Sequence, residues 1–237
     1  MTTNSAIIVA AGSGVRMGGG VRKQYLLLGG RPILAHTLAP FDEFNGINEI
    51  FLVVPETDFD YCRNAVISPM KPRKKIRLVP GGATRQESVY NGLLAIGGNQ
   101  GVVVIHDGVR PFITMEQIAE CIEVAEKTGA CILGMPVFDT LKRVNHAEEI
   151  EKTVEREAIR SAQTPQAFQY RSILEAHEIA RREGYTGTDD ASLMEHIGKR
   201  VKIITGDRRN IKITTPEDLD MAEAILESGW IDKPKHA

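Results

Sequence analysis

Cysteine, aromatic residues and charge of either sign in excess are all scarce here. The three cysteines, Cys62, Cys121 and Cys131, form no CxxC or similar pair, so neither a zinc site nor a disulfide framework is indicated. The six histidines are scattered without metal-ligand spacing. No run of about 18 apolar residues occurs, and the first residues lack a charged region followed by a long apolar stretch. These absences lead to the expectation of a soluble cytoplasmic protein with no membrane partner. Acidic and basic residues nearly balance, for a net charge of -2, which argues against a dedicated nucleic-acid binder. The basic run at 71–77 sits beside Pro72 just before an apolar stretch and reads as a solvated loop. No internal repeat and no low-complexity linker divides the 237 residues, so one domain over 1–237 is expected.

What the chain does have is short apolar runs alternating with amphipathic helical patterns. The runs fall at 6–11, 50–54, 76–79, 102–105, 131–137 and 201–204. Several are solidly apolar, as expected of strands covered on both faces. Helical patterns lie at 32–41, 84–96, 115–127, 170–183 and 189–197, and a last one, capped at Thr215-Pro216, runs to about 227. The third follows Thr114, with Gln117 completing a capping box. A further strand is expected at 211–214. This alternation predicts an α/β fold with a doubly wound, mostly parallel sheet, in which ligands gather at the carboxyl ends of strands. The alternation breaks at 138–161, a polar, strand-like stretch with a turn at 145–149. It reads as a β-arm leaving the main sheet.

The first strand runs into Ala10-Ala11-Gly12-Ser13-Gly14-Val15-Arg16-Met17, followed by Lys23-Gln24-Tyr25. Small residues let backbone N–H groups approach a ligand, and Arg16 and Lys23 bring positive charge to the same place, which suits a triphosphate. Met17 stands where a dinucleotide fingerprint needs its third glycine, and Lys23 lacks the Gly-Lys-Ser/Thr setting of a Walker loop. Asp107 ends the fourth apolar run in His106-Asp107-Gly108-Val109-Arg110. A carboxylate there is placed to hold Mg²⁺ or a ribose hydroxyl, or equally to cap the next helix or pair with Arg110. Gly81-Gly82-Ala83-Thr84-Arg85-Gln86-Glu87-Ser88 forms a loop whose glycines allow close approach to a base and whose Ser88 can hydrogen-bond it. Lys212 interrupts an apolar stretch, where an ammonium is costly unless it meets an anion or faces solvent.

Together these segments resemble the 2-C-methyl-D-erythritol 4-phosphate cytidylyltransferases of the non-mevalonate isoprenoid pathway. The motifs are AAGSGVRM with KQY, GGATRQESV, HDGVRPF, DTLKR to TVER, AQTPQAF, TDDASLME and NIKITTPEDL, in order from residue 6 to about 220. The resemblance implies a Rossmann-like nucleotidyltransferase fold, similar to glycosyltransferase A, and transfer of CMP from CTP to 2-C-methyl-D-erythritol 4-phosphate with release of pyrophosphate. It implies that Arg16 and Lys23 stabilise the α-phosphate under attack. Arg156 and Lys212 hold the substrate phosphate, with Thr140 and Thr188 around it. Ala10, Ala11, Gly12, Gly14, Gly82 and Ser88 match the cytidine pocket, and Asp107 the ribose and Mg²⁺ side. The arm is expected to cross a two-fold axis in a homodimer, so that Arg156 and Thr140 serve the partner's site.

The chain departs from the family pattern in having Arg22 before Lys23 in place of proline. Gly108-Val109 follows Asp107 in place of two alanines, and Ala83 stands at a place often acidic. The Arg22 change puts the rigidity of the loop carrying Lys23 in question. A second resemblance, to ribitol 5-phosphate cytidylyltransferases, shares the glycine loop, HD-x-x-RPF, QTPQ and NIKITTP. The arm motifs DTLKR and TVER favour the methylerythritol branch. A nucleotide-binding regulator without catalysis is the remaining alternative, opposed by retention of Arg16, Lys23, Arg156 and Lys212.

Overall fold

The computed structural model describes residues 3–12, 22–98 and 101–229. Gly14, Arg16 and the last eight residues lie outside this set. Eleven strands are described: β1 (Ser5–Val9), β2 (Leu27–Leu28), β3 (Arg31–Pro32), β4 (Glu49–Val54), β5 (Lys75–Pro80), β6 (Val102–Asp107), β7 (Ala130–Pro136), β8 (Leu141–Val144), β9 (Ile150–Val154), β10 (Arg160–Gln169) and β11 (Lys202–Thr205). The helices are α1 (Ile33–Glu43), α2 (Phe59–Tyr61), α3 (Ser68–Met70), α4 (Arg85–Ile96), α5 (Met115–Thr128), α6 (Tyr170–Glu183), α7 (Asp190–His196) and α8 (Pro216–Glu227). A π-helical turn, Cys62–Ile67, joins α2 to α3.

Seven strands form one sheet in the order β11-β7-β10-β6-β1-β4-β5, with parallel neighbours except around β10. The chain moves outward from β1 through β4 to β5 and then returns to β6 on the other side of β1. The loops after β1 and β6 therefore diverge and open a crevice at their carboxyl ends. Register brings the two ends level, with Val9 beside Asp107.

β1, β4 and β6 carry continuous apolar runs, at 6–9, 50–54 and 102–105, because helices cover both faces. On one face Ile8, Leu38, Phe41, Leu52 and Ile118 pack together; on the other Ile7, Phe51, Val89, Phe168 and Ile173 do. Phe41, Phe51 and Phe168 are fully buried, each contributing roughly 1.5–3 kcal/mol. A smaller cluster of Leu28, Ile33, Val109, Phe112, Ile213 and Ile225 docks α8 near the crevice. Helix starts are fixed locally by capping boxes, Thr84 with Glu87, Thr114 with Gln117, Asp189 with Ser192 and Thr215 with Asp218.

Two elements differ from the sequence reading. Residues 211–214 form no strand and join no sheet; among their backbone bonds Ile213 N–H donates to the Val109 carbonyl at 2.9 Å. That partner lies just beyond β6, which is already paired on both sides by β1 and β10. Conversely, β10 is a central sheet strand, buried over 164–168, that the apolar pattern does not reveal. Its proline, Pro165, has no N–H to give, and the ladder skips at that point, shifting register between Gln163 and Gln166.

The arm is present as the hairpin β8–β9, paired only with itself among the described strands. Its turn is held by Asn145, whose Oδ1 accepts from Ala147 and Glu149 N–H at 2.9 and 3.0 Å. Val144 and Ile150 are 52% and 65% exposed there.

Candidate nucleotide and substrate site

Four chain segments converge on the crevice. The first leaves β1, where Ala10 N–H donates to the Val53 carbonyl at 2.8 Å. Beneath it, buried Gln24 donates from Nε2 to the Ala10 carbonyl at 2.7 Å. Gln24 sits in the 3-10 turn Lys23–Tyr25, so this bond locks the turn carrying Lys23 to the glycine loop. The same turn is tied outward, since the Tyr25 hydroxyl donates to Asp58 Oδ2 at 2.9 Å and lies 3.2 Å from Cys62 Sγ. Burial, then Cys62 and Asp58, push the Tyr25 hydroxyl far above its ordinary pKa, so it stays protonated.

Arg22 has φ -65°, the angle a proline ring imposes, and its Nε pairs with Asp58 Oδ2 at 2.9 Å. The departure from proline at Arg22 therefore keeps the backbone geometry and adds an ion pair to the turn.

The second segment is the β5–α4 loop. Gly81 lies so close to Ala11 that a Cβ on the glycine would collide with the alanine methyl, which keeps the two loops in contact. Ser88 Oγ accepts from Gly82 N–H at 3.0 Å and donates to the Thr84 carbonyl at 2.8 Å. Its proton is thus spent on loop shape. Glu87 Oε2 accepts from Ala83 N–H at 2.8 Å.

The third segment is the end of β6. Asp107 is 6% exposed, and its carboxylate faces three cations. Arg85 Nε stands 3.2 Å from Oδ1; Arg110 Nε and Lys212 Nζ stand 3.4 and 3.0 Å from Oδ2. Burial alone would raise the Asp107 carboxyl, but Arg85, Lys212 and Arg110 outweigh it and hold it well below the usual carboxylate range. Neighbouring His106 is fully buried, and desolvation lowers its pKa to about 4. Its Nε2 lies 3.1 Å from the Arg110 carbonyl, which only accepts, so Nε2 carries the proton. Nδ1 then accepts from the Thr164 hydroxyl at 2.9 Å, and Thr164 Oγ1 in turn accepts from Asp107 N–H at 3.1 Å. This neutral ring fixes the backbone at the base of Asp107.

The fourth segment, 207–214, is pinned beside β10. Asn210 Nδ2 donates to the Thr164 carbonyl at 2.8 Å, and Arg110 Nη1 donates to the Asn210 carbonyl at 2.8 Å. Pinning two residues away brings the half-exposed Lys212 side chain to Asp107, so its ammonium meets both an anion and solvent.

These segments enclose a cavity of about 440 Å³ lined by Ala10, Ala11, Gly12, Lys23, Gly82, Ser88, Asp107 and Lys212, with Arg85 and Thr84. A second cavity of about 250 Å³ shares Arg85, Asp107 and Lys212 with it and adds Thr188, Gln163 and Asp189. Nine of the residues singled out in the sequence therefore meet at one place. Thr140 and Arg156 do not; both are exposed on the arm and line neither cavity of their own chain. An Arg156 guanidinium N–H donates to the Phe138 carbonyl across the base of the arm.

Arg85 and Gln24 belong to the site but had no role in the sequence reading, whereas the pairing of Arg110 with Asp107 was one of the alternatives it gave and is present at 3.4 Å. Arg85 carried a signal: it is the first helical residue of α4, where the helix dipole favours anions. A cation there implies a nearby carboxylate.

The donor set around Asp107 bears on a metal. Among the described residues no group of three His, Cys, Asp or Glu side chains gathers. A cation caged by protein ligands does not fit; for Mg²⁺, which keeps waters and takes one or two carboxylates plus substrate phosphates, Asp107 is the one carboxylate in the lining of the larger cavity, and it faces three side-chain cations.

A crevice at the point where strand order reverses, walled by small residues and rimmed with cations, defines an α/β nucleotide-binding protein of the nucleotidyltransferase kind. Residues 5–228 match the family model of 2-C-methyl-D-erythritol 4-phosphate cytidylyltransferase (IspD). The chain belongs to this family. It is 50% identical over 223 residues to the 2-C-methyl-D-erythritol 4-phosphate cytidylyltransferase of Syntrophotalea carbinolica, covering 94% of this chain and 95% of that one. Among solved structures it is similar to 4-diphosphocytidyl-2C-methyl-D-erythritol synthase from Anaerococcus prevotii, with TM-score 0.86, 35% identity and 95% and 96% of the two chains covered. The corresponding cytidylyltransferase of Thermus thermophilus superposes with TM-score 0.77 at 33% identity, covering 96% of this chain and all of the other. No helix among the described residues is long and apolar enough to cross a membrane.

Proposed function

We propose that this protein transfers CMP from CTP to 2-C-methyl-D-erythritol 4-phosphate in isoprenoid precursor synthesis, as a cytoplasmic homodimer. The observation that carries the reading is the pair of joined cavities. One is walled by the small residues Ala10, Ala11 and Gly82 and takes the nucleotide; the other reaches Thr188 and takes the polyol phosphate; Asp107, Arg85 and Lys212 stand between them.

A 4-phosphate oxygen of the substrate attacks the α-phosphorus of CTP. The new P–O bond forms as the bond from the α-phosphorus to the bridging oxygen breaks, and that electron pair leaves on pyrophosphate. The attacking phosphate is already ionised at neutral pH, so positioning and charge stabilisation carry the rate. Lys23, locked by Gln24, meets the negative charge that grows on the α-phosphate oxygens; Arg16 has the same assignment from the family pattern. Lys212 holds the substrate phosphate, and its contact with Asp107 keeps it extended until then. Mg²⁺, when bound, supplies charge neutralisation for the triphosphate, with Asp107 as its protein ligand.

The arm supports the dimer. Val144 and Ile150 are exposed on a hairpin that no other described strand covers, and a two-fold copy buries them most simply. Arg156 and Thr140, remote from their own cavities, would then complete the partner's site. Purified protein assayed for pyrophosphate release with CTP and 2-C-methyl-D-erythritol 4-phosphate tests the function. Turnover with ribitol 5-phosphate alone, or with neither, overturns it.

A further inference from the structure

A cluster of buried ionisable groups lies behind the cavity wall. Asp190, in the first turn of α7, is 1% exposed, and His177 of α6 is wholly buried. His177 Nε2 stands 3.3 Å from Asp190 Oδ1, while Arg85 Nη1 donates to Asp190 Oδ2 at 2.8 Å. From its other side Arg85 Nε reaches Asp107 Oδ1 at 3.2 Å. One guanidinium thus bridges two carboxylates, one at the cavity and one behind it.

The backbone that carries the rear carboxylate is itself held firmly. Gln166 Oε1 accepts from the Asp190 and Ala191 N–H groups at 3.2 and 3.1 Å, and Gln166 Nε2 donates to Asp189 Oδ2 at 2.8 Å. Burial alone would raise the Asp190 carboxyl, but the Arg85 charge outweighs it and holds the group ionised. A buried ionic group of this kind is weak evidence of stabilisation, since packed apolar side chains serve stability as well. Geometry gives it a better reason. Facing a single carboxylate, a guanidinium turns two parallel N–H groups onto it. Such a fork would draw both Asp107 oxygens toward Arg85. The Nη1 bond to Asp190 anchors the guanidinium away from that pose; as held, it meets Asp107 through Nε at Oδ1, and Oδ2 stays turned to Arg110, Lys212 and the cavity.

We infer that Asp190 is a positioning residue for the transfer reaction: it restrains Arg85 so that Asp107 presents one carboxylate oxygen to the nucleotide cavity. This rests on the reading that Asp107 serves the nucleotide side of a cytidylyl transfer.

The test is a double-mutant cycle of Asp190→Asn and Arg85→Ala in the full-length protein, read as kcat and KM for pyrophosphate release. Asp190→Asn keeps the side-chain size and removes the charge. Its kcat should fall about tenfold, the scale of misplacing a group by a fraction of an ångström, while KM for the polyol phosphate changes less than about twofold. In the Arg85→Ala background the same substitution should cost nothing further, because its effect passes through Arg85. Wild-type kcat in Asp190→Asn, or losses that multiply in the double variant, overturn the proposal. If Asp190→Asn does not fold, Asp190→Ser takes its place in the cycle, with the same expected non-additivity and the same overturning results. A wild-type protein that turns over no substrate overturns the function and not this inference. The cycle is then read on CTP affinity by calorimetry, where additive losses reject the positioning role.

Discussion

Asp107→Asn tests the electrostatic core of the site directly. The substitution is isosteric and leaves Oδ1 to accept from Arg85 Nε, but it places an amide N–H₂ where Oδ2 meets Arg110 and Lys212. Two donors then face a donor, and three cations lose their shared anion. A hydrogen bond to a charged group contributes about 1.5–3 kcal/mol. The Arg110 contact is long at 3.4 Å, so the lower figure applies to it. The Lys212 side chain is 39% exposed, and solvent screening limits its share to less than about 1 kcal/mol. Loss of the anion beside Arg85 brings the total to about 3 kcal/mol. For a chain of this size that lowers the melting temperature by roughly 6–12 °C. The three cations left behind form an anion site, so saturating pyrophosphate should raise the melting temperature of the variant more than that of the parent. Differential scanning fluorimetry with and without pyrophosphate measures both. A variant that melts within about 2 °C of the parent, or equal stabilisation of the two by pyrophosphate, would refute Asp107 as the counter-ion of this cluster.

Three further outcomes are expected. Lys23→Ala should lower kcat about a hundredfold or more with a much smaller change in KM for CTP, because charge builds on the α-phosphate only in the transition state; a rise in KM with kcat preserved would make it a uniform binding contact. Mixing inactive Arg156→Ala and Lys23→Ala subunits should restore activity, since a heterodimer with trans-acting Arg156 gathers both lesions in one site; no recovery after verified subunit exchange would place both residues in the same-chain site. His106 titrates at about 4 when folded against 6.5 unfolded, so the unfolded chain takes its proton first and stability is lost as pH falls from 6.5 toward 4, by about 3 kcal/mol. Denaturant midpoints of the metal-free protein should show this fall and His106→Gln should flatten it; parallel pH profiles for the two would exclude the ring as the source.

Much of the architecture was legible because it is local. The span of α6 follows from helical period, and α5 and α8 start where Thr114 and Thr215 offer a side-chain oxygen to an N–H three residues on. The solidly apolar runs at β1, β4 and β6 declared strands buried on both faces. The family motifs marked Lys23, Asp107, Thr188 and Lys212, residues that are far apart in the chain and that the crevice does bring together. The arm, too, was visible as a polar interruption between apolar strands.

Pairing was not legible, because it depends on what else lies nearby once the sheet has formed. Residues 211–214 have the pattern of a strand, yet they meet no open edge, while β10 with its proline fills a place between β6 and β7. Arg85 and Asp107 are 22 residues apart, and Arg85 and Asp190 are 105 apart. An unpaired acid or base has the same local pattern whether it ends in solvent or beside an opposite charge. The chain by itself determined which residues are small, charged or apolar at each strand end. Only the order of strands decided which of those ends stand side by side, and with that which carboxylate holds which cation.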